Sequence, residues 1–112
     1  MPDDYGKNPN NIVLCGYICK PPIYRTTPFN REIADILVAV NRAYNKSDYI
    51  PCIAWGRNAI YIAEQIVGTE IRSIGRFQSR EYQKRIGEEF ETRTAYELSI
   101  HQLEVVNSEC ED

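Results

Sequence analysis

The chain has 112 residues, a formal net charge of −3 and a sequence pI near 5.2, with 43% hydrophobic and 26% charged residues. That length fits one domain with one core, and the composition excludes a disordered chain. The acidic balance excludes a protein whose whole surface attracts nucleic acid, while leaving room for a local basic patch.

Residues 1–10 carry Pro2, Gly6 and Pro9 without hydrophobic periodicity and are expected to be a flexible start. They contain no apolar signal-peptide core, and no run approaches the ~20 apolar residues of a membrane-spanning helix, so the cytosol is the expected location. Ile12 to Cys19 is an apolar run and the first expected strand. Gly16 interrupts it, as glycine does at a bulge or a barrel corner. Lys20 to Asn30 holds Pro21, Pro22 and Pro28 and is expected to be a loop or an irregular strand edge. Glu32 to Tyr44 is rich in β-branched and apolar residues and is taken as the second strand, although the window also reads as a short helix. Asn45 to Asp48 is a turn by composition. Tyr49 to Gly56 is the third strand, with Tyr49, Ile53 and Trp55 on one parity. Pro51 cannot donate to a ladder, which predicts an edge or a bulge there.

The period then changes. Ala59, Ile62, Ala63, Ile66 and Val67 follow helical spacing, and Gly68 closes the pattern as a C-cap, so one helix is expected over 57–67. The fourth strand starts at Ile71, and Glu81 to Glu91 is expected to be a charged loop around Gly87. Thr92 to Val106 is the fifth strand, with Thr94, Tyr96, Leu98 and Ile100 alternating against Arg93, Glu97 and Ser99. Residues 107–112 form a short acidic tail. Five strands cannot bury both faces as a flat sheet, and closure into a barrel removes the edges. Five strands with a helix between the third and fourth is the arrangement of the OB fold. The expected class is therefore all-β with one helix, an OB barrel over residues 11–106.

Charge is segregated along this plan. Residues 71–87 hold five Lys/Arg against one acid, and residues 88–112 hold eight acids against Arg93 alone. Arg72, Arg76 and Arg80 recur every four residues, which in a strand places them on one face with Ile74, Gln78 and Tyr82. Ile71, Ser73, Gly75 and Phe77 fall on the other. A cationic track ending in a ring suits a phosphate backbone with a stacked base, and a solvated strand face explains the same pattern.

Catalytic chemistry has little to work with. His101 is the only histidine and has no acid or cysteine at a telling spacing, and no phosphate-loop or nucleophile-elbow motif occurs. Cys15, Cys19, Cys52 and Cys110 make a poor zinc pattern and are expected to be structural thiols, so no cofactor or metal is expected. Binding has more to offer. Tyr44, Tyr49, Trp55 and Tyr82 are candidate stacking rings, with Arg42 near Tyr44, Arg57 near Trp55, and Arg80 and Lys84 near Tyr82. Core packing is the competing fate of each ring. Tyr44 has an awkward parity, shared with Ile36, Val38 and Val40 unless the strand bulges first.

Four motifs now stand in order: Asn11 to Gly16, Ile36 to Arg42, Ile53 to Ala59 with Tyr49 ahead of it, and Gly75 to Tyr82. Together they resemble the bacterial single-stranded DNA-binding protein family, from about Asn11 to Val106. The resemblance implies an OB domain that binds single-stranded DNA by stacking and phosphate contacts, generally as a homotetramer. It implies stacking at Tyr44, Tyr49, Trp55 and Tyr82, and basic contacts at Arg25, Arg57 and Arg80. Arg72 and Arg76 come from strand parity alone. The family's long tail with an apolar tip is not matched at Ser108 to Asp112, so recruitment of replication enzymes is not expected and a specialised paralogue is. The expected function is non-enzymatic: sequence-nonspecific binding and protection of single-stranded DNA in replication, recombination, repair or uptake. The alternative is an OB-fold adaptor of the primosome type, acting through protein contacts.

Overall fold

The computed structural model describes residues 10–106. The expected acidic tail, Cys110 and all of the expected flexible start except Asn10 lie outside the described residues. Six strands and one helix follow in order: β1 (Ile12–Ile18), β2 (Ile23–Thr26), β3 (Glu32–Arg42), β4 (Lys46–Trp55), α1 (Arg57–Ala63), β5 (Glu70–Ile86) and β6 (Glu89–Val105). The sheet order is β1-β5-β6-β4-β3-β2, and β1 also pairs with β3, which closes β1, β5, β6, β4 and β3 into a five-stranded barrel. The barrel is consistent with an OB fold.

Closure depends on β1 serving two neighbours. It pairs with β5 from Ile12 to Tyr17 and with β3 at Tyr17 and Ile18. Gly16 sits where the strand changes partner, and a Cβ there would collide with the Ala39 carbonyl oxygen. A strand can turn this corner only where a side chain is missing. Inside the barrel, Ile18, Ala34, Ile36, Val38, Cys52, Ala54, Ile71, Leu98 and Ile100 are buried together, and Ala59 and Ile62 of α1 plug the same cluster. Among the described residues no helix is long and apolar enough to cross a membrane.

Several expectations need correction. The helix does not lie between the third and fourth strands: the segment expected as a loop or an irregular strand edge contains β2, an edge strand antiparallel to β3 from Ile23 to Thr26, so the helix follows the fourth strand. The prolines bound β2 rather than abolish it. The helix is also shorter than its apolar pattern. It ends at Ala63, with Glu64 as its C-cap. Gly68 instead takes a positive φ of 98° in a later turn, and its N–H donates to the Ile18 carbonyl at 2.7 Å. The chain beyond the helix is attached to β1 at Gly68 and Thr69.

The turn after β3 occupies residues 43–45 rather than Asn45 to Asp48. Arg42 pairs with Lys46, and Tyr44 and Asn45 have φ of 65° and 60°. The parity problem of Tyr44 dissolves, because Tyr44 is at the tip and off the strand. Pro51 interrupts nothing in the β3–β4 ladder, where it faces Leu37. It lies one residue before the segment paired to β6, where it has an open edge and no bulge.

The largest correction concerns residues 81–91. The expected charged loop is a hairpin: β5 and β6 stay in register from Gly75↔Ile100 to Ile86↔Glu89. Gly87, with φ 64°, takes the first of two tip positions, which a two-residue hairpin turn reserves for glycine. The radius of gyration is 15.9 Å, against ~13 Å for a compact chain of about 100 residues, and the long axis reaches 56 Å. A β5–β6 arm projects from the barrel.

Candidate nucleic-acid interface

The alternation of β3 and β4 decides which side chains leave the barrel. Even-numbered Ala34, Ile36 and Val38 point inward with Cys52 and Ala54 of β4. Their odd-numbered neighbours face outward, although Ile33 and Ile53 are themselves buried on that side. Directly opposed residues of paired strands share a face, so the register defines rows across that surface. Arg25, Ile33 and Trp55 form one row. Ile23, Asp35, Ile53, Ser99 and Arg76 form the next, crossing β2, β3, β4, β6 and β5. Tyr49 lies on the same face opposite Ala39, whose small side chain leaves the ring exposed.

Arg76 fixes the parity of β5. Ile71, Ser73 and Gly75 are buried, whereas Arg72, Arg76 and Arg80 are exposed. Continuing outward, Arg80, Tyr82 and Lys84 face the same way along the arm, opposite Ala95, Arg93 and Glu91. The Arg80 guanidinium lies 6.0 Å from the centroid of the Tyr82 ring. Tyr82 is partly exposed, and its ring stays on the surface. The structure thus joins Arg25, Trp55, Arg76, Arg80, Tyr82 and Lys84 on one continuous face.

Other expected residues sit apart from this track. Tyr44 is 91% exposed at the β3–β4 tip, flanked by Arg42 and Lys46. A tyrosine held at positive φ is an uncommon conformation and concentrates at binding sites. Arg57 opens α1 and is exposed two residues after Trp55. Arg72 lies on β5 before a register shift at Ile74/Gly75, where Ile74 pairs with Gln102 and Gly75 with Ile100, leaving His101 unpaired as a bulge. A groove of about 390 Å³ beside Arg72 shares Asn58 and His101 with a second groove beside Trp55, so Arg72 reaches the track around the bulge.

The track is less cationic than its sequence. Arg25 pairs with Asp35 at 3.1 Å, Arg42 with Asp48 at 3.3 Å, Arg72 with Glu104 at 3.7 Å and Arg80 with Glu97 at 3.2 Å. In each pair the guanidinium reaches solvent, and the three pairs exposed on both sides are worth ~0–1 kcal/mol, so an arriving phosphate can compete for each guanidinium. Glu97 is the unusual partner. It faces outward by parity yet is only 6% exposed, and its two carboxylate oxygens accept from Arg80 Nε at 3.2 Å and Gln78 Nε2 at 3.0 Å. Burial pushes the Cys52 thiol up to about 12, with a smaller contribution from the Glu97 charge. A thiol so held stays protonated and is a packing group, not a nucleophile.

Sequence reasoning missed three further features. Arg31 places its guanidinium 5.1 Å from the Trp55 ring centroid, an across-loop contact that no spacing reveals. Phe29 is 88% exposed in the β2–β3 loop, where a ring between Pro28 and Asn30 was a usable sign. Phe77 and Tyr96 stack on the opposite face of the arm, with centroids 6.4 Å apart and planes 5° from parallel. Among the described residues no cluster of His, Cys, Asp or Glu is placed to hold a metal ion.

Comparison with known proteins gives a consistent result. The model of the single-strand binding protein family matches residues 9–106. The single-stranded DNA-binding protein 1 of Staphylococcus aureus is 33% identical over 70% of this chain and 51% of its own length. The single-stranded DNA-binding protein A of Bacillus subtilis is 30% identical over 88% of this chain and 61% of its own. The single-stranded DNA-binding protein 3 of Streptococcus agalactiae is 31% identical over 89% of this chain and 78% of its own. The chain thus spans about half the length of the staphylococcal relative and more of the other two.

Proposed function

The chain belongs to the single-strand binding protein family, and from that premise we propose that it binds single-stranded DNA without base specificity. The observation that carries the reading is the continuous outer face on which Trp55, Tyr49 and Tyr82 alternate with Arg25, Arg76, Arg80 and Lys84. Rings supply a stacking surface for any base, and guanidinium and ammonium groups track the phosphates. Binding is stoichiometric: the protein covers the strand, protects it and prevents re-pairing. Residues 11–106 are the binding unit, with a site of ~4–16 nucleotides. Tyr44, Arg42 and Arg57 extend the path at the β3–β4 tip and the start of α1. Arg72 extends it past the bulge.

The reading places the protein in the cytosol, as a homo-oligomer, in replication, recombination, repair or uptake of DNA. Trp55 is the only tryptophan, so its fluorescence reports the site directly. Titration with oligo-dT quenches it, and log K falls against log[salt] with a slope of roughly −0.7 per phosphate engaged. Absence of both quenching and a gel shift at low salt would overturn the proposal in favour of a protein-binding OB domain. Tighter binding to RNA than to DNA would move the protein to a different class of OB domain.

A further inference from the structure

The groove beside Trp55 has a volume of about 510 Å³ and is lined by Arg31, Trp55, Asn58, Ser99, Ile100 and His101. It is shallow and open to solvent. Its floor is tied together by Asn58, whose Nδ2 donates to the His101 carbonyl oxygen at 3.3 Å across from α1 to the bulge of β6.

Arg31 stands over this groove from a fixed base. The Thr27 N–H donates to the Arg31 carbonyl at 2.9 Å, and the Arg31 N–H donates to Thr27 Oγ1 at 3.1 Å. Its guanidinium sits 5.1 Å from the Trp55 ring centroid. Whereas Arg25, Arg72 and Arg80 on the same surface each face a carboxylate, Arg31 forms no ion pair among the described residues. Its contact is a ring that the DNA-binding reading needs for a base. Two cationic jobs thus compete for one side chain. A charge-assisted hydrogen bond to phosphate outweighs an exposed cation–π contact, so an arriving strand draws Arg31 off the ring.

We propose that the groove is a one-nucleotide subsite in which Arg31 caps Trp55 in the free protein and transfers to a strand phosphate when a base takes its place on the ring. The inference rests on the single-strand reading and deepens it. Base stacking and phosphate capture become one coupled event, because vacating the ring and engaging the phosphate are the same movement. The anchored backbone of Arg31 means that only its side chain has to move.

The test compares the wild type with Arg31→Ala, Arg31→Gln and Arg31→Lys. Acrylamide quenching of Trp55 is measured in the free proteins, and oligo-dT binding is measured across a salt series. In the Ala and Gln variants the free tryptophan becomes more accessible to acrylamide. Their salt slope becomes shallower by about 0.7, the loss of one phosphate contact. Affinity then falls several-fold at low salt, and the variant lines approach or cross the wild-type line at high salt. Arg31→Lys, which keeps the charge, retains the wild-type slope. An unchanged slope in the Ala and Gln variants, unchanged accessibility, or a Lys variant that behaves like Ala would overturn the subsite. Wild-type protein that fails to bind oligo-dT would instead overturn the single-strand reading, before any variant is compared.

Discussion

The two halves of β5 alternate in the same way and end differently. From Ile71 to Arg76, Ile71, Ser73 and Gly75 are buried, Ile74 is half-buried, and Arg72 and Arg76 are exposed. From Phe77 to Ile86 the alternation continues, yet no residue is buried and only Gln78 is half-buried. The first half lies between β1 and β6 and closes over a core, whereas the second half pairs with β6 alone. Alternation in a strand decides which way a side chain points. Burial depends on whether another layer stands there to receive it. The barrel wall is thus held by apolar packing, and the arm by its ladder and cross-strand pairs. The binding face runs over both.

The sharpest way to break this comparison is at the junction. A Cβ at Gly75 would run into the Ser99 carbonyl oxygen. Gly75→Val is therefore expected to cost about 3 kcal/mol in denaturant unfolding, in the upper range for overpacking. A loss under ~1 kcal/mol would mean that the bulge yields and the wall is softer than its packing implies.

The arm tests the other side. Deleting the paired stretches 82–85 and 90–93, an even number from each strand, keeps the alternation and the turn and removes Tyr82 and Lys84. Stability should stay within ~1 kcal/mol of wild type, while oligo-dT affinity drops by the ~1–3 kcal/mol of a lost stacking ring. Unfolding of the barrel would show that arm and wall form one cooperative unit.

Inside the wall, Cys52 links stability to pH. Its thiol is raised from 9.0 to about 12 in the folded chain, first by burial and then by the Glu97 charge. The folded state therefore holds a proton that the unfolded state releases above pH 9. The stabilisation is complete below pH 9 and is lost as pH rises towards 12, at up to ~1.4 kcal/mol per pH unit. Urea titrations of Cys52→Ala should show a flatter decline over that window. Equal slopes for both proteins would mean that the thiol is not held protonated.

The smallest effect is expected where wall and arm meet on the binding face. Glu97→Gln removes the carboxylate that holds Arg80 and should release that guanidinium to DNA. The exchange is worth under ~1 kcal/mol because Arg80 is largely exposed. Its mark is an affinity gain of up to several-fold with an unchanged salt slope, because Arg80 engages phosphate in both proteins. A slope more negative by about 0.7 would show that Glu97 holds Arg80 off phosphate in the wild type.

Period and turn chemistry made much of this molecule legible. Ile71 and Leu98 fell on faces that the alternation set apart from the charged residues, and Gly16 marked a break in the first strand, which is the barrel corner. The shared parity of Arg76 and Arg80 was also correct, as was that of Tyr49 and Trp55. Such features depend on neighbours one or two residues away, and the chain carries them locally. Residues 81–91 looked like a loop because they are charged and unprotected by any core. Their strand pairing comes from residues three to thirteen positions further on, and the two-residue turn at Gly87 allows it. The capping of Trp55 by Arg31 and the burial of outward-facing Glu97 join residues from separate elements, as does the hydrogen bond from Gly68 to β1. The sequence by itself determined the alternation of side chains within most of the strands and the one helix that follows the strand ending at Trp55. Tertiary structure decided which of those side chains meet a partner, because burial and ion pairing depend on distances between segments that only closure of the barrel establishes.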